Sequence, residues 1–171
     1  MTMKFSRRDT GLGMIGWIIS MPLVLIGLLI LVVIFFEGRK AYWDNKVMEL
    51  CKEKGGMTVF EKVHLSEDEY KIIRGEQGTV HIPLEKYKKD FPYFARTVRQ
   101  VIHEWDPEVI KRTTEIIRNS DGKVLGKYIR YSRIGGNIAL IAHPSSFSCR
   151  DIEGFETDIT RKIFIIDGES R

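Results

Sequence analysis

Residues 14–36 read MIGWIISMPLVLIGLLILVVIFF, and this stretch splits the chain into two parts that obey different rules. It is 23 residues long, carries no charge, and 16 of its side chains are Leu, Ile, Val or Phe. As a helix it would rise about 34 Å, at about 1.5 Å per residue, enough to cross a hydrocarbon core about 30 Å thick. Each strongly apolar residue contributes about −0.3 to −0.6 kcal/mol toward insertion, and nothing charged inside the run opposes it. A buried helix of a soluble core normally keeps a polar stripe, which this one lacks. A cleaved secretory signal has a shorter apolar part and ends in a small-x-small site. Here the run ends Phe35-Phe36-Glu37-Gly38-Arg39-Lys40 instead. Ser6-Arg7-Arg8 opens like a twin-arginine signal, but the following residues do not continue that pattern, and no cysteine follows the run to carry a lipid. The expectation is an uncleaved signal anchor in the bacterial inner (plasma) membrane.

Working outward, the tail before the span carries Lys4, Arg7 and Arg8, and the segment after it carries Arg39, Lys40 and Lys46. Counting positive charge on the two sides therefore gives a tie. A short tail ahead of a long carboxy-terminal part favours a cytoplasmic amino terminus, and so do the cysteines. The expected organisation is a cytoplasmic tail (1–13), a transmembrane helix (14–36), a stalk helix (37–56) and a periplasmic domain (57–171). Within the span, Gly16 and Ser20 form one small-xxx-small pair beside Trp17; a dimer through this pair is one option, and tolerance against lipid is the other.

Taken whole, the 171 residues are 43% apolar and 29% charged, with a formal net charge of +4. The part beyond the span is large enough for one small domain, which excludes large multidomain enzymes, multi-span transporters and repeat arrays. Residues 37–171 hold 24 Lys/Arg against 22 Asp/Glu. That balance lacks the concentrated basic surface nucleic acid requires, so no nucleic-acid partner is expected. Arg39 and Lys40 most simply mark the lipid interface.

Cys51 and Cys149 are the only cysteines. In an oxidising compartment two such residues pair, and a bridge would clamp the stalk to the body of the domain. Two buried thiols in a reducing compartment are the alternative. No CxxC spacing supports a zinc knuckle or thioredoxin-like chemistry.

Local signals suggest an α+β domain built on an antiparallel sheet with one or two helices. Ala41–Lys54 has Trp43, Val47, Leu50 and Cys51 at helical spacing, and Gly55-Gly56 supplies a stop. Met57–Leu65 alternates like a strand. Ser66 and Glu69 form a capping box that opens a helix ending near Gly75. Thr79–Leu84 reads as a short strand and Glu85–Asp90 as a helical turn. Arg112–Asn119 and Lys123–Arg133 read as a hairpin about Ser120-Asp121-Gly122. Asn137–Ala142 and Lys162–Asp167 are further strand candidates.

Chemistry is harder to find. The chain contains no GxSxG, HExxH, P-loop or dinucleotide fingerprint, so no catalytic residue, cofactor or metal ligand is expected. His103-Glu104-Trp105-Asp106 sets a base beside carboxylates whose side chains diverge, and His64, His81 and His143 are scattered along the chain. His143-Pro144-Ser145-Ser146-Phe147-Ser148-Cys149 reads as a rigid loop, with Phe147 plugging the core and Cys149 bonded to the stalk. The bases Arg118, Lys123, Lys127, Arg130 and Arg133 read as a solvated face, because they do not fall on one side of the pleat.

The cysteine motif Cys51-Lys52-Glu53-Lys54-Gly55-Gly56 with Val59-Phe60-Glu61-Lys62-Val63, the Ser120–Gly126 turn and the His143–Cys149 stretch together resemble a group of small uncharacterised bacterial envelope proteins. The resemblance covers most of the external domain and implies an envelope location without a known activity. The functional expectation is a non-enzymatic, membrane-anchored binding module whose partners are the bilayer and another envelope protein. The alternatives are a tethered immunity or exclusion protein against toxin or phage, a periplasmic hydrolase using His103 or His143, and a cytoplasm-facing subunit of a membrane complex.

Overall fold

A computed structural model describes residues 10–73, 80–137 and 143–166. One helix, α1 (Thr10–Lys54), runs without a break through both the apolar stretch and the stalk. Pro22 lies within it. From Met21 to Phe35 every residue is exposed, and the large aliphatic side chains keep between 38% and 67% of their surface open. The amino-terminal part of α1 is thus long and apolar enough to cross a membrane, and between Met21 and Phe35 its described side chains stay exposed. Gly16, Trp17 and Ser20 fall on α1 with their side chains outside the described residues.

The carboxy-terminal part of α1 behaves oppositely. Val47 and Cys51 are buried, and Trp43 and Leu50 pack beside them against Val109, Tyr131, Cys149 and Phe147. The helix stops where Gly55 donates its N–H to the Cys51 carbonyl and Gly56 takes a φ of +113°, which a side chain would disfavour.

The α+β domain expected from the sequence is observed. Its main sheet is antiparallel, built from β1 (Gly56–Val59), β3 (Tyr93–His103), β4 (Glu108–Arg118), β5 (Val124–Ile134) and β6 (Ser146–Ser148). The order is β1-β5-β4-β3, and β1 and β6 share one edge of β5, on Gly126–Ile129 and Ser132–Ile134 respectively. A second ladder joins β2 (Val63–Leu65) to β7 (Phe164–Ile166) in parallel. Helices α2 (Glu67–Ile73) and α3 (Thr160–Ile163) complete the fold. The Ser66 capping box is present: the Glu69 N–H reaches Ser66 Oγ at 3.4 Å, and Glu69 Oε2 accepts from the Ser66 N–H at 3.1 Å. The end of that helix near Gly75 lies outside the described residues.

Several expectations need correction. Met57–Leu65 is two strands, not one. The chain turns at Phe60–Glu61, whose N–H groups both donate to the Leu125 carbonyl, while the Glu61 carboxylate meets Arg118 and Lys123. Residues 80–84 form no strand: Val80 and Leu84 each make a single bridge, that of Leu84 to Ala95, and beside it the Ala95 N–H donates to the Pro83 carbonyl while proline has no N–H to return. Lys162 and Ile163 belong to α3, so the last strand begins at Phe164. Asn137 lies in a bend, and residues 138–142 of that strand candidate lie outside the described residues. The β3 strand, with no distinct signal in the sequence, is among the longest.

Two cores result. One lies under α2, α3 and β7, around Leu65, Ile73, Tyr93, Ile116, Leu125 and Ile163. Gly126 makes room there, since a Cβ at that position would stand 2.7 Å from the Ile163 Cδ1. The other core joins α1 to the opposite face of the sheet.

Candidate anion-binding face

The two faces of the sheet follow from strand register, because successive side chains alternate across a strand. On β5, Ile129, Tyr131 and Arg133 point toward α1. Cys149, which follows β6, is bonded to Cys51 of α1, with the two sulfurs 2.01 Å apart. Across this bridge the two ends of the expected disulfide meet.

Arg133, read in the sequence as part of a solvated face, is the largest side chain with under 2% of its surface exposed. A charge can be taken from water only if it is paired and its donors are satisfied. Its Nε donates to Asp44 Oδ1 at 2.6 Å, and its Nη1 donates to Ser145 Oγ at 3.0 Å and to the Gly135 carbonyl. The stretch His143–Cys149 is therefore structural at three points: Ser145 on Arg133, Phe147 against the α1 core, and Cys149 in the bridge. His143 is exposed.

The other sequence-predicted bases separate. Arg118 and Lys123 both reach Glu61, and their hydrogen bonds hold its carboxyl below the usual carboxylate range, Lys123 having the larger effect. Lys127 stands opposite Glu115, on the α1 side of the pleat. Arg130 alone points to the far face, and it has company there.

Arg99, Arg112 and Arg130 are direct cross-strand partners on β3, β4 and β5, so three guanidinium stems share one row of one face. Like charges directly opposite one another in a sheet repel. Arg99 is paired with Glu108, at 2.6 Å. Arg112 and Arg130 have no acidic partner among the described residues. Arg150, exposed just after β6, adds a fourth charge; burial first, then Arg150 and Arg112, push the Arg130 guanidinium below its ordinary value.

The neighbouring row on the same face contains Tyr128, Thr114 and Thr97. The two threonine hydroxyls bond each other at 3.1 Å. Tyr128 is only 5% exposed, and its Oη is a buried polar atom with no hydrogen-bond partner in the described structure. Burial pushes the Tyr128 hydroxyl above its ordinary value, against the opposing influence of Arg130 and Arg150. Buried polar atoms are nearly always satisfied, so an orphan hydroxyl beside unpaired guanidinium groups makes this face the candidate site for an oxyanion.

The histidines do not converge. His103 packs at a tilt against Trp43, with ring centroids 4.3 Å apart, and its Nδ1 lies 2.9 Å from the Pro107 carbonyl. Among the described residues no three His, Cys, Asp or Glu side chains gather in a metal-binding group. Comparison with protein-family models, curated proteins and solved structures finds no match to this chain.

Proposed function

We propose that this chain is a single-pass, membrane-anchored binding module of the bacterial envelope. In this reading the span lies in the inner membrane and the domain stands in the periplasm, where an oxidising environment maintains the Cys51–Cys149 bridge. It works without catalysis, holding an envelope component that carries phosphate or carboxylate groups. The observation that carries the reading is the Arg99–Arg112–Arg130 row, adjoined by Arg150 and the unpartnered Tyr128 hydroxyl. Guanidinium forks match the geometry of both oxyanions, and such pairs are stronger than neutral hydrogen bonds.

The height of the row above the lipid narrows the ligand. Arg112 lies four residues along β4 from Glu108, on the order of 14 Å beyond the end of the strand that meets the base of α1. Headgroups of the same membrane are too low to fill the row, so the partner is a polymer or a protein.

A photo-cross-linking residue at Thr97, exposed on the same face, tests the reading in intact membranes. The expected result is a discrete adduct that disappears in Arg112→Gln/Arg130→Gln. No adduct, or the same adducts in the double variant, overturns it.

A further inference from the structure

The end of the sheet nearest the span carries a second feature that the arginine row does not use. The segment between β3 and β4, Glu104–Pro107, is fastened to α1 by an ion pair between Arg39 and Asp106, at 3.0 Å. The same aspartate accepts the Gly136 N–H at 2.7 Å, and the His103 ring at the end of β3 packs at a tilt against Trp43. The turn is thus held in place from three directions. Between these fixed points stands Trp105, 80% exposed and the most exposed large apolar side chain among the described residues.

Position along α1 gives this exposure a meaning. Arg39 is three residues past Phe36, where the apolar run ends, and so about 4.5 Å beyond it along the helix axis. The headgroup zone of one leaflet is about 5–8 Å deep. A side chain tied to Asp106 is therefore tied at headgroup depth. Tryptophan, with an apolar ring and one N–H donor, prefers this zone to either water or hydrocarbon. Charge does not compete: Arg39 is paired with Asp106 and Lys40 with Glu37, so the turn carries no basic surplus.

We infer that the Trp105 turn is a second membrane contact, in which the indole sits in the headgroup layer of the bilayer that α1 crosses. Two contacts, the span and the turn, stop the domain from tilting about its stalk. They set the arginine row at a constant height and facing one way. The inference rests on the anchored reading above and adds a lipid partner for a separate surface. Because the contact is an aromatic side chain without surplus charge, neutral phosphatidylcholine suffices for it.

The full chain carrying Trp17→Phe and Trp43→Phe has Trp105 as its sole indole, and it would be assembled into phosphatidylcholine nanodiscs. Trp105 emission is expected to be blue-shifted, quenched by lipids brominated near the headgroup, and several-fold less sensitive to acrylamide than free N-acetyltryptophanamide. Asp106→Asn, which removes the tie to Arg39, is expected to restore much of the acrylamide sensitivity. If Trp43→Phe does not fold, the same quantities are read as the difference between the native chain and Trp105→Phe. Should the chain elute with the nanodiscs while Trp105 remains fully open to acrylamide and blind to brominated lipid, the inference fails and the anchor stands. Should the chain not associate with nanodiscs at all, the anchored reading fails and the inference falls with it.

Discussion

Arg130 and Arg133 are three residues apart on one strand, and they meet opposite conditions. On the α1 face, Arg133 is buried with its donors directed at Asp44, Gly135 and Ser145, beside a covalent bridge. On the other face, Arg130 stands opposite Arg112, feels Arg150, and has no carboxylate to neutralise it. The surroundings of Arg133 are complete as folded, while the Arg99–Arg112–Arg130 row on the other face carries repulsion that folding does not remove. Residues that cost stability and are not compensated within the chain are candidates for a site where a ligand supplies the missing charge, which is the reading proposed for this row. The contrast separates a charge neutralised within the chain from a row of charges that the chain leaves open, beside the core under α2 and α3.

If the contrast is right, substitutions in the arginine row and at the α1 face should have effects of opposite sign. The largest is expected from the bridge. Cys51 and Cys149 are 98 residues apart, and removing the cross-link with Cys51→Ser/Cys149→Ser should cost about 4 kcal/mol in urea unfolding of the full chain in micelles. Asp44→Ala, which strands the buried Arg133 charge, should cost about 3 kcal/mol by the same measurement. Two valines of one helix provide the next comparison. Val47, fully buried, should lose about 2 kcal/mol on replacement by Ala. Val24→Ala, at a position 66% exposed, should change domain stability by less than about 0.5 kcal/mol. The smallest effect has the reverse sign. Arg112→Gln relieves a like-charge pair and should stabilise the ligand-free domain by about 0.2–1 kcal/mol. A loss of stability at Arg112 comparable to that at Asp44 would erase the distinction between the faces.

Much of the closed face was legible in the residues. The apolar block, the helical spacing of Trp43, Val47, Leu50 and Cys51, the glycine stop and the cysteine pair all act locally or through composition. The arginine row was not, and for Arg112 and Arg130 the reason is a single residue. Arg118 donates to the Lys123 carbonyl across the turn, so a register counted from Ser120-Asp121-Gly122 would set Arg112 opposite Ile129. Between Ile116↔Gly126 and Ile117↔Val124, however, Leu125 is an extra residue that shifts the rest of the ladder by one. A shift of one moves a side chain to the other face, and so Arg130, not Ile129, meets Arg112.

Arg133 was hidden differently, since its partner Asp44 is 89 residues away and nothing local announces it. The β3 strand escaped notice because its middle, from Arg96 to Gln100, is exposed on both faces and neither alternate set is consistently apolar.

The most direct test is the unfolding midpoint of the full chain in nonionic micelles, compared in millimolar inorganic phosphate and in sodium chloride of equal ionic strength. A ligand that binds only the folded state raises stability by mass action. The midpoint of the native chain should be higher in phosphate, and that gain should vanish in Arg112→Gln/Arg130→Gln. An equal midpoint in the two salts, or a gain that survives in the double variant, would contradict an oxyanion site on the arginine row.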